Sequence, residues 1–145
     1  MLCEAGVRVG KVHLSAALRA EAGAEARGQL RAFVDPVYLP QVKARRADGR
    51  VISHADLPAA LAAGDDPAEW RVHFHVPLFF ERLGALRSTS PLLIGAFAEM
   101  LRSGAAEHLD IETYTFNVLP ADLRPAALSE SIAREYRWVV DRMFP

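Results

Sequence analysis

Apolar residues recur at every second position in some runs of this chain and at every third or fourth in others, which separates candidate strands from candidate helices. Four runs read as buried strands: residues 8–14, 31–37, 71–77 and 109–118. The run "WRVHFHVPLFF", residues 70–80, is very apolar and yet carries His73 and His75 two positions apart. Side chains i and i+2 of a strand share a face, so both imidazoles project together while Val72, Phe74 and Val76 project the other way. "SPLLIGAFAEMLRSG" places Leu92, Leu93, Ala96, Phe97, Met100 and Leu101 on one helical face. Ser90 is placed as its N-cap, Pro91 as its first residue and Gly104 as its terminator. A shorter helix is expected from near Asp56 to Gly64, and residues 19–29 read as an exposed, Ala-rich helix with glycine breaks. The last segment sets Leu128, Ile132, Tyr136, Val139, Val140 and Met143 at steps of three or four, the pattern of a docked C-terminal helix.

Strands alternating with helices predict parallel strands joined by crossover helices. The third and fourth strands are about 35–40 residues apart, near the repeat of a barrel of eight βα units. Four convincing strands and no glycine-rich phosphate fingerprint argue against a five-stranded flavodoxin-like sheet. The expected fold is therefore α/β, with parallel βα units forming half of a TIM barrel in a single domain over residues 1–145. Such a half exposes two sheet edges, so a homodimer or a partner half-barrel is expected to complete it.

Composition narrows the function. With 51% hydrophobic and 24% charged residues, the 145-residue chain reads as one globular domain. The net charge is -1, and Lys and Arg are scattered along the sequence, so no nucleic-acid partner is expected. Cys3 is the single cysteine, which excludes an internal disulfide or a CxxC motif and fits a cytoplasmic protein. No signal sequence opens the chain, and residues 91–98 are too short an apolar run to cross a bilayer, so no membrane insertion is expected.

"YLPQVKARRADG", "DLPAAL", "WRVHFHVPLF", "RSTS" and above all "HLDIETYTFNVLP" resemble the C-terminal half of the EboE-type metabolite-traffic proteins, members of the xylose-isomerase-like TIM-barrel superfamily. The similarity runs from "KVHLSAAL" to "YRWVV", and residues 108–120 are its most specific part. The resemblance implies a barrel about twice this length, and hence a truncated gene product or a misplaced start. It also implies a divalent metal such as Zn or Mn at the C-terminal ends of the strands, and a role in moving or maturing a small metabolite. Isomerase or epimerase chemistry would follow, with the ion polarising a carbonyl while a carboxylate moves a proton.

On that basis His75 and Glu112 are the expected metal ligands, with Asp110 and His73 assisting in catalysis. Thr113 and Tyr114 are expected to position a hydroxylated or carbonyl substrate. Ser15, at the end of the first strand, either touches substrate or caps a helix, and Gln41 follows the second strand as a further contact. Arg87 and Thr89 belong to "LRSTSP", a loop that could hold a phosphate or carboxylate on backbone N–H groups. The competing view keeps both histidines as hydrogen-bonded core residues, with Glu112 paired to one of them. Retention of His75 and Glu112 favours an enzyme, whereas two departures from the family pattern count against an intact catalytic centre, the first of them favouring binding without turnover. Pro40 replaces the histidine of "YLHQ", and Phe116 and Asn117 replace the Trp and Asp of "ETYTWDVLP".

Overall fold

The computed structural model describes residues 5–21, 23–64, 67–117 and 119–145. Strand β1 (Val9–Leu14) runs through Ser15 into β2 (Ala16–Glu21), and α1 (Ala24–Leu30) continues as a 3-10 turn, Arg31–Phe33. A hairpin of β3 (Val42–Arg45) and β4 (Val51–His54) leads to α2 (Leu57–Ala62) and the long β5 (Glu69–Val76). Then come β6 (Arg82–Leu83), β7 (Leu86–Ser88), a 3-10 turn at Ser90–Leu93, α3 (Ala96–Arg102), β8 (Ala106–Ile111) and α4 (Leu128–Met143). No helix among the described residues is long and apolar enough to cross a membrane.

The strands form a six-stranded sheet in the order β4-β3-β5-β2-β7-β6 and a separate pair, β1-β8. Among the described residues every pairing in the larger sheet is antiparallel, and only β1 and β8 run parallel. This overturns the half-barrel of parallel βα units. The reason lies in turns that the coarse strand count passed over. Asp48 and Gly49 close the β3–β4 hairpin: Gly49 has φ +85, and Asp48 Oδ1 accepts from the Arg50 N–H at 3.0 Å. Gly84, at φ +56, closes β6 onto β7. Turns with glycine in the left-handed region join antiparallel neighbours, whereas parallel strands need a long crossover.

Other elements shift for local reasons. No strand forms over residues 31–37, because Asp35 Oδ1 accepts from the backbone N–H groups of Val37 and Tyr38, both at 2.8 Å, in a turn that holds Pro36. Arg19 and Glu21 belong to β2 rather than to a helix, since Ala16, Leu18 and Ala20 alternate into the core. The helix expected from Ser90 is broken at Gly95, φ +76, and α3 begins after it. The last expected strand is shifted to Ala106–Ile111, and Val118 lies outside the described residues. The short helix expected from near Asp56 is present as α2, and Asp56 caps it, accepting from the Ala59 N–H at 2.7 Å. The core lies on one face of the large sheet, where Leu18, Val72, Phe74, Leu86 and Phe33 are buried. In α4 the buried positions are Ser131, Glu135, Val139 and Met143, while Leu128, Ile132, Tyr136 and Val140 stay exposed.

Candidate functional site

Strand β5 builds the site by simple alternation. Val72, Phe74 and Val76 are buried in the core, which turns Arg71, His73 and His75 to the outer face of the sheet. The chain leaving β8 then covers that face: the Thr115 hydroxyl donates to the His75 carbonyl, and the Tyr114 ring lies 4.7 Å from the His75 ring. His75 is therefore buried, at 4% exposure, while His73 remains exposed.

The hydrogen bonds fix the protonation of this pair. His75 Nδ1 lies 2.6 Å from the Glu112 carbonyl oxygen, which can only accept, so Nδ1 carries the proton. His75 Nε2 is then a lone pair, and it lies 2.9 Å from His73 Nε2, which donates to it. Burial holds the His75 pKa below its ordinary value of about 6.5, outweighing the bond to Glu112, and the neighbouring His73 adds to the depression. The sign of the linkage follows. Above about pH 6.5 both folded and unfolded imidazoles are neutral and the stability is complete. As pH falls below that value, the unfolded chain takes up the proton first, and stability declines until the folded imidazole is protonated too. Urea unfolding across this window should show a decline that His75→Gln lacks.

A cleft of about 250 Å³ opens beside the pair, lined by Tyr38, Leu39, Pro40, Gln41, His73 and Tyr114, among others. The Tyr38 and Tyr114 rings lie 5.5 Å apart. Gln41 is held in place by its carbonyl, which accepts from the His73 N–H at 2.8 Å. His73, Gln41 and Tyr114 are thus brought together, with His75 behind them. Tyr38 was missed by the sequence reading, although Asp35 and Pro36 mark the turn that presents it.

The remaining expected site residues lie elsewhere. The Glu112 carboxylate turns away from His75 and lies 3.5 Å from His13 Nδ1. Asp110 pairs with Lys11 Nζ at 2.7 Å on the β1-β8 ribbon, and that hydrogen bond keeps its carboxyl below the usual range. The Thr113 hydroxyl donates to Glu135 Oε1 at 2.6 Å, on the side of α4. Ser15 joins two strands and caps no helix. Thr89 fastens β7 to β2, its Oγ1 accepting from the Ala17 N–H at 2.8 Å and its own N–H donating to the Ala17 carbonyl at 2.9 Å. Arg87 is exposed on the large sheet, outside the cleft. The loop leads into a 3-10 turn, Ser90–Leu93, where the Ser90 N–H donates to Ser88 Oγ at 3.0 Å.

Among the described residues no three His, Cys, Asp or Glu side chains come together as metal ligands. The His73–His75 pair supplies two nitrogen donors, one fewer than the three protein ligands usual in open zinc sites. An antiparallel sheet with one imidazole and two tyrosines lining a small cleft, and a second imidazole behind the first, has the form of a polar ligand site without a carboxylate in its lining. No family model, curated protein or solved structure matches the chain.

Proposed function

We propose that this chain is a metabolite-binding module of the metabolite-traffic type its sequence resembles, holding a small hydroxylated or carbonyl compound without turning it over. The observation that carries the proposal is the oriented imidazole pair beside Gln41 and the two tyrosines. With Nε2 of His73 donating inward, its Nδ1 is an acceptor, Gln41 offers both an acceptor and donors, and each phenol offers one of each. That set matches hydroxyl and carbonyl groups. The carboxylates expected to move a proton, Asp110 and Glu112, are engaged with Lys11 and His13 instead of lining the cleft.

Dihydroxyacetone, the smallest hydroxy-ketone, is a suitable probe for an NMR titration. Its addition should move the resonances of Tyr38, Gln41, His73 and Tyr114, with the effect lost in His73→Ala and no glyceraldehyde formed on standing. Absence of any shift at high concentration rejects the proposal, and glyceraldehyde would restore the isomerase alternative. A second reading adds a divalent ion at the two Nε2 atoms, with the His73 proton moved to its Nδ1, and is favoured by their convergence and by the anchored Nδ1 of His75.

A further inference from the structure

Strand pairing gathers cations that are scattered along the sequence. Lys43 on β3 lies opposite Arg71 on β5, and Arg71 lies opposite Arg19 on β2. Arg19 in turn lies opposite Arg87 on β7, and Arg87 opposite Arg82 on β6. One row of positive side chains therefore crosses five adjacent strands, spanning about 19 Å at ~4.8 Å per strand. The row lies on the outer face of the sheet, since the neighbours Leu18, Ala20, Val72 and Leu86 are buried on the other. A second row on the same face runs from Arg45 to Glu69 to Glu21.

The charges in these rows do not cancel. Glu69 is buried beneath Arg19, Arg71 and Arg45, at 2.6, 2.9 and 3.4 Å. Burial pushes its carboxyl up, but the hydrogen bond from Arg71 and the three charges outweigh this and keep it ionised. Glu21 lies 3.8 Å from Arg19. Six cations thus face these two carboxylates. Among the described residues the Lys43 ammonium bonds only the Ser53 hydroxyl, at 2.7 Å, and the Arg82 guanidinium bonds the Gly84 carbonyl at 3.3 Å. The Arg87 side chain makes no hydrogen bond or ion pair among the described residues. Like charges directly opposite one another destabilise a sheet. Five in register are a local conflict that folding does not require, and such conflicts concentrate at functional surfaces.

We propose that this sheet face binds the backbone of a single-stranded nucleic acid, with phosphates along Lys43, Arg71, Arg19, Arg87 and Arg82. A row of cations spread across neighbouring strands suits the backbone of a single strand better than the groove of a duplex, which an inserted helix or β-ribbon reads. Gln41 and His73 continue the face at one end of the row and lead to the exposed rings of Tyr38 and Tyr114, where a base can stack. Within the charged rows themselves the one large apolar side chain is Val51, opposite Arg45, so the rows offer charge to a phosphate backbone and little to a lipid interior. The charged row lies outside the cleft, so the inference does not rest on the metabolite proposal.

The test is fluorescence anisotropy of a labelled oligouridylate about 15 nucleotides long, within the range one such surface covers. Binding is expected at about 50 mM salt, with log K falling against log[salt] at a slope of about -2 to -3 for three or four phosphates. Lys43→Glu combined with Arg87→Glu should weaken binding at least tenfold. Both side chains are exposed and neither has a carboxylate partner, so circular dichroism should show an unchanged fold. Arg82→Ala, which removes one contact without reversing charge, should lower the slope by about 0.7. No binding at low salt overturns the proposal, as does an unchanged affinity in the double variant. Equal affinity for polyglutamate of matched length would also overturn it, and would point to an acidic polypeptide.

Discussion

Phe74→Ala should lower the unfolding free energy by about 3–5 kcal/mol, the usual cost of emptying a buried phenylalanine site. Phe74 is 1% exposed, and its ring meets Phe33 edge-on at a centroid distance of 5.2 Å and an angle of 84°. The Phe33 contact adds to the burial, because edge-to-face pairs stabilise beyond the area they cover. A domain is typically stable by about 5–15 kcal/mol, so the variant loses a large share of the total. Phe74 also lies between the two histidines on β5, and its anchoring in the core is what aims them outward. Urea unfolding and the dihydroxyacetone titration should therefore fail together. A loss below about 1 kcal/mol would mean that Phe74 is not the core anchor described.

Glu135 provides the second large effect, and its sign depends on pH. The carboxyl is 1% exposed, and Oε1 accepts from both the Leu78 N–H at 3.0 Å and the Thr113 hydroxyl at 2.6 Å. Burial raises its pKa above the ordinary value of 4.5, against the lowering effect of those two bonds. Glu135→Ala should cost about 1–3 kcal/mol, since the buried Leu78 N–H loses its acceptor. Glu135→Gln keeps an acceptor oxygen and removes the charge. Below about pH 4.5 the group is neutral in both states and its contribution is complete. As pH rises, the unfolded chain releases its proton first, so the natural protein loses stability through the raised folded pKa. The Gln variant should therefore gain on the natural protein as pH rises from about 4.5. A difference that does not change with pH would contradict the burial of an ionisable carboxyl at this position.

How much of this could be read in the sequence depends on the residue. Alternation around Val72, Phe74 and Val76 gave β5 and the shared face of His73 and His75, because period-two patterning is a local property. The short helix starting near Asp56 was legible for the same reason. Pairing direction was not: β1 and β5 read alike as apolar runs, and only the turns at Gly49 and Gly84 separate hairpins from crossovers. The C-terminal helix showed the limit of periodicity. Its apolar sector is wider than its contact with the core, so Tyr136 and Val140 are exposed while Glu135 is buried. Of the expected site, the histidines, Gln41 and Tyr114 converge, and Glu112 does so only through its backbone carbonyl. The cation row was illegible from composition, because it exists only once the register of five strands is known.

The site rests on the protonation of its two imidazoles, and long-range 1H–15N NMR of the ring nitrogens at pH 7.5 reads that directly. His75 should show a protonated Nδ1 and an unprotonated Nε2, His73 a protonated Nε2, and dihydroxyacetone should move the His73 signals. A protonated Nε2 on His75 would contradict both the bond to the Glu112 carbonyl and the donation from His73, and with them the site.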